Sequence, residues 1–154
     1  MRSAYKYLAH TIAGLVAVQA AVMVFAVAGL YGWIMDGNTL TESAMEDRSL
    51  DFTGSVGFML HGMIGMMLIP LLALVLLIIS FFAKVDGGVK WAGIVLLLVV
   101  LQVAFGIFGH ETPYSGLLHG FNALILFTAA LQTGRRVSSP TTMADARTKV
   151  SAGH

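Results

Sequence analysis

The chain has 154 residues, of which 57% are hydrophobic and 11% are charged, and its formal net charge is +1. Soluble domains carry about 25% charged residues, so this composition is typical of a protein that lies in a lipid bilayer. A net charge this small, with no basic patch, argues against nucleic acid as a partner. Because the chain contains no cysteine, disulfides, thiolate metal sites and iron–sulfur clusters are excluded.

Four apolar stretches are each long enough to cross a bilayer as a helix. A bilayer core of about 30 Å takes roughly 20 helical residues, and a helix satisfies its own backbone hydrogen bonds in hydrocarbon. The sequence therefore predicts an all-α, integral membrane four-helix up-down bundle over residues 1–136, followed by a polar, disordered cytoplasmic tail over residues 137–154. The four spans are expected at about 8–34, 56–83, 91–109 and 115–133.

The charged residues separate into two groups that predict the orientation. The first loop, residues 35–55, is acidic and has room for a short surface helix. By the positive-inside rule this loop faces outward, while both termini and the loop after the second span lie in the cytoplasm. The expected location is a cell membrane, as a multi-pass protein of the kind found in the bacterial inner membrane. Eight of the nine basic residues fall on the cytoplasmic side: Arg2, Lys6, Lys84, Lys90, Arg135, Arg136, Arg147 and Lys149.

One short motif occurs twice. The sequence Leu-His-Gly appears in the second span around His61 and in the fourth span around His119. The spans before them also correspond, because Gln19 and Gln102 each lie in mid-membrane. We interpret this as one helical hairpin present twice, with both glutamines forming hydrogen bonds between helices.

The two histidines are the strongest functional candidates. An ionisable side chain inside a membrane span is by default a functional hypothesis, and both lie about five residues inside the outer end of a span. In an up-down bundle the second and fourth helices occupy diagonal corners, so both imidazoles can point inward at one depth. We therefore expect His61 and His119 to be the axial ligands of one heme b that carries an electron.

Small residues one helical turn before and after each histidine would leave a slot for a flat porphyrin. A further histidine at the outer end of the third span could hydrogen-bond a propionate of the heme. The additional residues expected to contact the heme are Gly57, Gly65, Ser115, Ala123 and His110.

The same residues fit a plainer alternative. Small residues also allow close helix packing, and histidine can hydrogen-bond across helices. The chain would then be a heme-free accessory or assembly subunit of a larger membrane complex, with His61 and His119 bonded to each other, to Gln102 or to lipid. A transporter or proton path is the weaker alternative, because no Asp, Glu, Lys or Arg lies inside any span.

Two other residues carry structural expectations. Pro70 lies in the middle of the second span and is expected to kink it, because proline lacks a backbone N–H and clashes with the preceding turn. His10 lies near the inner end of the first span, far from the other pair. We interpret it as an interface residue that contacts a neighbouring helix.

The stretch from Gly57 to Arg136 resembles one four-helix half of the heme A synthase family. The similarity is carried by LHGMIGMMLIPLLALVLL, VLQVAFGIFGH and SGLLHGFNALILFTAALQ, and it reaches the first span only through the surroundings of Gln19. The resemblance implies that His61 and His119 occupy heme-ligand positions.

The chain also departs from that family. Phe58 stands where the catalytic half has a glutamate, and Gly62 where it usually has an arginine. The outer-loop cysteines and the second four-helix half are missing as well. The expected function is accordingly not catalysis by this chain alone but electron transfer, as a small subunit or partner of a respiratory redox complex.

Overall fold

The computed structural model describes residues 1–46, 50–109 and 112–137, and within these residues the regular structure is entirely helical. Four helical stretches are long and apolar enough to cross a membrane, which confirms the all-α prediction of four spans. The predicted tail lies outside the described residues beyond Val137. The elements are α1 (Arg2–Met35), α2 (Glu42–Glu46), α3 (Val56–Met63), a π-helical turn (Ile64–Leu68), α4 (Ile69–Ala83), α5 (Gly88–Phe108) and α6 (Pro113–Arg135).

The second span consists of α3, the π-helical turn and α4, and the other spans are α1, α5 and α6. α1 begins well before the predicted span, because a helix continues wherever its backbone hydrogen bonds form and does not need apolar side chains. Thr112 caps the N-terminus of α6, because its hydroxyl accepts a hydrogen bond from the N–H of Ser115 at 3.2 Å, and Pro113 follows at the first helical position. Both features are typical of a helix start.

The spans pack as a closed ring of neighbours. α1 packs against α4 and α6, and α5 packs against the same two helices. The second span and α6, which carry the two histidines, therefore each lie between α1 and α5. At one end of the ring, the hydroxyl of Tyr5 donates to the carbonyl oxygen of Gly88 at 3.0 Å, and the guanidinium of Arg136 lies 4.7 Å from the ring centre of Trp91.

The contiguous cluster of buried hydrophobic residues lies at this end of the bundle, which we call the packed half. It includes α1 as far as Val16, α4, α5 as far as Val99, and α6 from Leu126 onward. We call the remainder the histidine half (residues 17–35, 56–68, 100–109 and 112–125). Within these described ranges α5 contributes no buried residue and the second span contributes only Gly57. Fewer side chains are therefore fully buried beside the histidines than in the packed half.

Gly57 holds α3 against α1. A Cβ atom at this position would lie 2.8 Å from the carbonyl oxygen of Val22 and 2.9 Å from the Cβ of Ala26, both closer than packed side chains approach. We expect Gly57→Ala to lower the free energy of unfolding by about 1–3 kcal/mol, as for overpacked sites. Gly62 on the same helix has no atom within 4 Å of such a Cβ.

The matched control is Gly62→Ala, which should leave stability unchanged or raise it by up to about 1 kcal/mol, since alanine favours helix. Detergent-solubilised protein can be unfolded by a titration with sodium dodecyl sulfate and followed by circular dichroism. Equal effects of the two substitutions would contradict the close contact at Gly57.

Candidate functional site

The structure brings the two Leu-His-Gly histidines together. The imidazole of His61 on α3 and that of His119 on α6 have ring centroids 6.0 Å apart, with their planes at 55°. Both side chains are partly buried in the histidine half. The ring of helices explains the meeting, because the second span and α6 each lie between α1 and α5.

Each histidine is oriented by a main-chain carbonyl of the preceding span. Nδ1 of His61 donates to the carbonyl oxygen of Gln19 at 3.2 Å, and Nδ1 of His119 donates to that of Gln102 at 2.9 Å. Because a carbonyl oxygen can only accept, Nδ1 carries the proton in both rings, and Nε2 of a neutral ring keeps its lone pair. The same bond in both hairpins agrees with their interpretation as a repeated unit.

The two glutamine side chains behave differently. Nε2 of Gln19 donates to the carbonyl oxygen of His61 at 2.8 Å. Nε2 of Gln102 instead donates to Nε2 of His119 at 3.0 Å, and its Oε1 accepts from Nδ2 of Asn122 at 2.7 Å. These bonds confirm that both glutamines link helices. Within the described residues, however, the buried Oε1 of Gln19 has no hydrogen-bond partner.

The difference follows from one residue. Asn122 lies three positions after His119 and supplies the amide that Gln102 uses, while it also donates to the carbonyl oxygen of Leu98 at 2.9 Å. The position three residues after His61 is Ile64, which has no side-chain donor. Sequence reasoning missed Asn122, although a polar residue three positions from His119 on the same helix face was a usable signal.

The small residues around His61 are engaged with α1. Gly57 abuts the α1 backbone, as described above, and a Cβ at Gly65 would lie 2.7 Å from Nε2 of Gln19. Both glycines therefore permit the close approach of α1 that lets Gln19 reach His61. Their contact with a heme stays a prediction.

The small residues around His119 have other neighbours. Ser115 lies in the first turn of α6, where its hydroxyl accepts from that of Thr112 at 3.2 Å. Ala123 packs against the edge of the hydrophobic core. His110 lies outside the described residues, so its predicted role at the heme edge, like those of Ser115 and Ala123, stays a prediction.

Gly106 on α5 makes room for the imidazole of His119. A Cβ there would lie 3.1 Å from Cε1 and 3.2 Å from Nδ1 of this ring. The position is one helical turn after Gln102 and therefore on the same face, a signal that sequence reasoning did not use. The glycine lets the ring settle against α5 where both of its hydrogen bonds to Gln102 can form.

We expect Gly106→Ala to push the His119 ring by a few tenths of an ångström and to cost about 0.5–1.5 kcal/mol of stability through its weakened hydrogen bonds. Gly93→Ala on the same helix, where a Cβ meets nothing within 4 Å, should be neutral or stabilising. In a His119→Ala background the cost of Gly106→Ala should vanish, which a double-mutant cycle of unfolding free energies measures. A cost that persists without the imidazole would assign the effect to another contact.

The separation of the two rings is compatible with imidazoles that hold one metal ion between them. Two imidazoles that bind a metal ion from opposite sides would have ring centroids about 6 Å apart, given metal–nitrogen bonds near 2 Å, and the observed separation is 6.0 Å. Metal-binding histidines usually donate their other N–H to a carbonyl or carboxylate, as both do here. The described residues include no group of three or more His, Asp or Glu suited to a metal ion, but a heme needs only two protein ligands.

One contact opposes ligation, because the amide of Gln102 occupies Nε2 of His119 and would have to turn away. Binding of a heme by this pair would therefore require the Gln102 side chain to leave Nε2 of His119. Comparison of the chain with models of protein families, with curated proteins and with solved structures gives no match.

Proposed function

We propose that this chain is a membrane protein that binds one heme b between His61 and His119. The observation that carries the proposal is the pair itself: two imidazoles 6.0 Å apart inside a four-helix bundle, each with Nδ1 bonded to a main-chain carbonyl. When bound, the heme supplies one-electron redox chemistry. The resemblance to the heme A synthase family that we infer from the sequence motifs implies the same ligand pair.

The surrounding residues would tune and shelter the ligands. The carbonyl oxygens of Gln19 and Gln102 fix the ring directions and, by accepting from Nδ1, make Nε2 a better donor of its lone pair. The apolar helices exclude water and lower the local dielectric. The position of both rings in the histidine half, where α5 buries no residue beyond Val99, supports this half as the place where a planar group would be accommodated.

We further infer an up-down bundle in a bacterial inner membrane with both termini in the cytoplasm. The arrangement is supported by contacts that gather the start of α1, the start of α5 and the end of α6, through Tyr5, Gly88, Trp91 and Arg136. The orientation is supported by the basic residues of these segments. The chain would pass its electron to or from a larger respiratory complex, as a small subunit or partner.

The test is an absorption spectrum of protein purified in detergent from cells supplied with heme. The dithionite-reduced minus oxidised difference should show a sharp α band of a six-coordinate b-type heme. Extraction of the pigment as its pyridine complex should give about one heme per chain. A featureless spectrum would contradict heme binding.

A heme-free accessory subunit is the second candidate, and a specific observation favours it. The hydrogen bonds of Gln102 with His119 and with Asn122 already connect α5 to α6 without any bound group. In that case the purified protein is colourless and co-purifies with a larger membrane complex. Substitution of Gln102 would then disrupt that complex.

A further inference from the structure

The second span contains one turn of π-helix. It covers Ile64–Leu68, between α3 and α4, and the N–H of Ile69 bonds to the carbonyl oxygen of Ile64 five residues back. Pro70 follows at once, and in a regular α-helix its ring would press against the carbonyl of Met66, four residues back. A π turn takes one extra residue into the helix. The π turn thus inserts one residue into the helix just before Pro70, where the sequence predicts a kink.

The extra residue changes the direction of His61. The buried positions of α4 define the inward face of the span, and at 3.6 residues per turn a regular helix would place His61 about 80° from the centre of that face and Gly57 about 120° from it. One inserted residue, worth about 100°, brings both to within about 20° of the face. The inward positions of α4 are Ile69, Ala73, Leu76, Ser80 and Ala83.

The observed contacts agree with the inserted register. Gly57 is buried against α1, and His61 bonds to Gln19 while lying beside His119. The span therefore presents one continuous inward face only because α3 is turned relative to α4.

The fourth span provides an internal comparison. His119 lies within about 20° of the centre of the buried face of α6, when that face is projected with regular α-helical geometry. That helix is regular from Pro113 to Arg135 and needs no insertion. Among the residues that the structure describes, the π turn occurs only in the hairpin that contains Pro70.

We propose that the π turn Ile64–Leu68, stabilised in place by Pro70, is the device that turns His61 into the bundle. The number of residues in this turn, together with the position of His61 in the sequence, therefore determines whether His61 faces His119. The direction of His61 is independent of any bound group; its importance for a heme rests on the proposed function.

The test is a single-residue deletion inside the turn. Met67 is 69% exposed, so its removal takes no side chain from the core, and Pro70→Ala in the same variant removes the clash that a regular helix would meet. This variant should have a regular second span with His61 still facing inward. The matched control deletes Ile78, which is 52% exposed in the regular part of α4, again with Pro70→Ala.

Rotation is read from spin labels, which the cysteine-free chain accepts at chosen sites. Pairs of Met59→Cys with Val24→Cys on α1 and with Leu117→Cys on α6 place labels on exposed surfaces. A rotation of about 100° moves a label on the helix surface by about 7–8 Å. We expect wild-type distances in the Met67 deletion, and distances shifted by several ångströms, or loss of folding, in the Ile78 deletion.

Shifted distances or loss of folding in the Met67 deletion would overturn the proposal, and so would wild-type distances in both deletions. The same samples can be examined by absorption spectroscopy. A wild-type protein without a heme band would overturn the proposed function, while the label distances would still decide the role of the π turn.

Discussion

On the proposed function, replacement of His61 or of His119 by alanine is expected to abolish the α band of the reduced, heme-loaded protein. In the proposed site each ring would supply one ligand to the iron, so loss of either ring would leave the heme with a single protein ligand. We expect heme content to fall at least about tenfold in either variant, since the loss of more than 1.4 kcal/mol of binding free energy corresponds to that factor. The measurement is the difference spectrum together with the heme-to-protein ratio.

The control is His10→Ala, which removes a histidine from the packed half. His10 lies against α6, where a Cβ at Gly134 would be 2.7 Å from its Cε1, as the sequence led us to expect of a residue contacting a neighbouring helix. This variant should keep the α band. In His61→Gly and His119→Gly, external imidazole should restore the band, because it replaces the missing ring. A heme that survives in either alanine variant would disprove the ligand assignment.

The spans and the histidine pair could be predicted because they depend on features that the sequence displays directly. Apolar length defines a membrane helix, and a repeated motif at equal depth places His61 and His119 at one level. The order of helices around a four-helix ring then brings the second and fourth spans toward the same interior. The structure shows this meeting, with ring centroids 6.0 Å apart.

The inward face of each span could not be predicted in the same way. In a membrane helix, residues facing lipid are as apolar as those facing the interior. The hydrophobic pattern therefore does not show which face of the helix points into the bundle. Both Met67, which is exposed, and Leu76, which is fully buried, look alike in the sequence. The shift of one residue at the π turn was therefore invisible, and so was the use of Gly57 and Gly65 against α1.

The polar partners were foreseen only in outline. Gln19 and Gln102 were expected to link helices, but sequence correspondence suggested that they would do so in the same way. Their backbone carbonyls do act alike, each accepting from a histidine Nδ1. Their side chains differ because Asn122 has Ile64 as its counterpart, and only a structure shows that this one exchange leaves Oε1 of Gln19 unpaired within the described residues.

Because the side chains of Gln19 and Gln102 are bonded differently, we expect the same substitution at each position to lower the free energy of unfolding by different amounts. We expect Gln102→Met to lower the unfolding free energy of the heme-free protein by about 1–2 kcal/mol, because it removes the partner of both His119 Nε2 and Asn122. Gln19→Met should cost no more than about 0.5 kcal/mol, because the bond lost to the carbonyl of His61 is offset by removal of a buried acceptor without a partner. The N–H of Ile64 also bonds to that carbonyl, so the carbonyl keeps a donor.

Unfolding of the heme-free variants in sodium dodecyl sulfate, followed by circular dichroism, measures both costs. Equal costs, or a larger cost at Gln19, would contradict the hydrogen-bond assignment.

The same two variants also distinguish the two candidate functions. If a heme binds, Gln102→Met should bind it at least as tightly as the wild type, since the amide on Nε2 of His119 competes with the iron. If the network is itself the functional joint of an accessory subunit, Gln102→Met should instead weaken association with the larger complex while Gln19→Met preserves it.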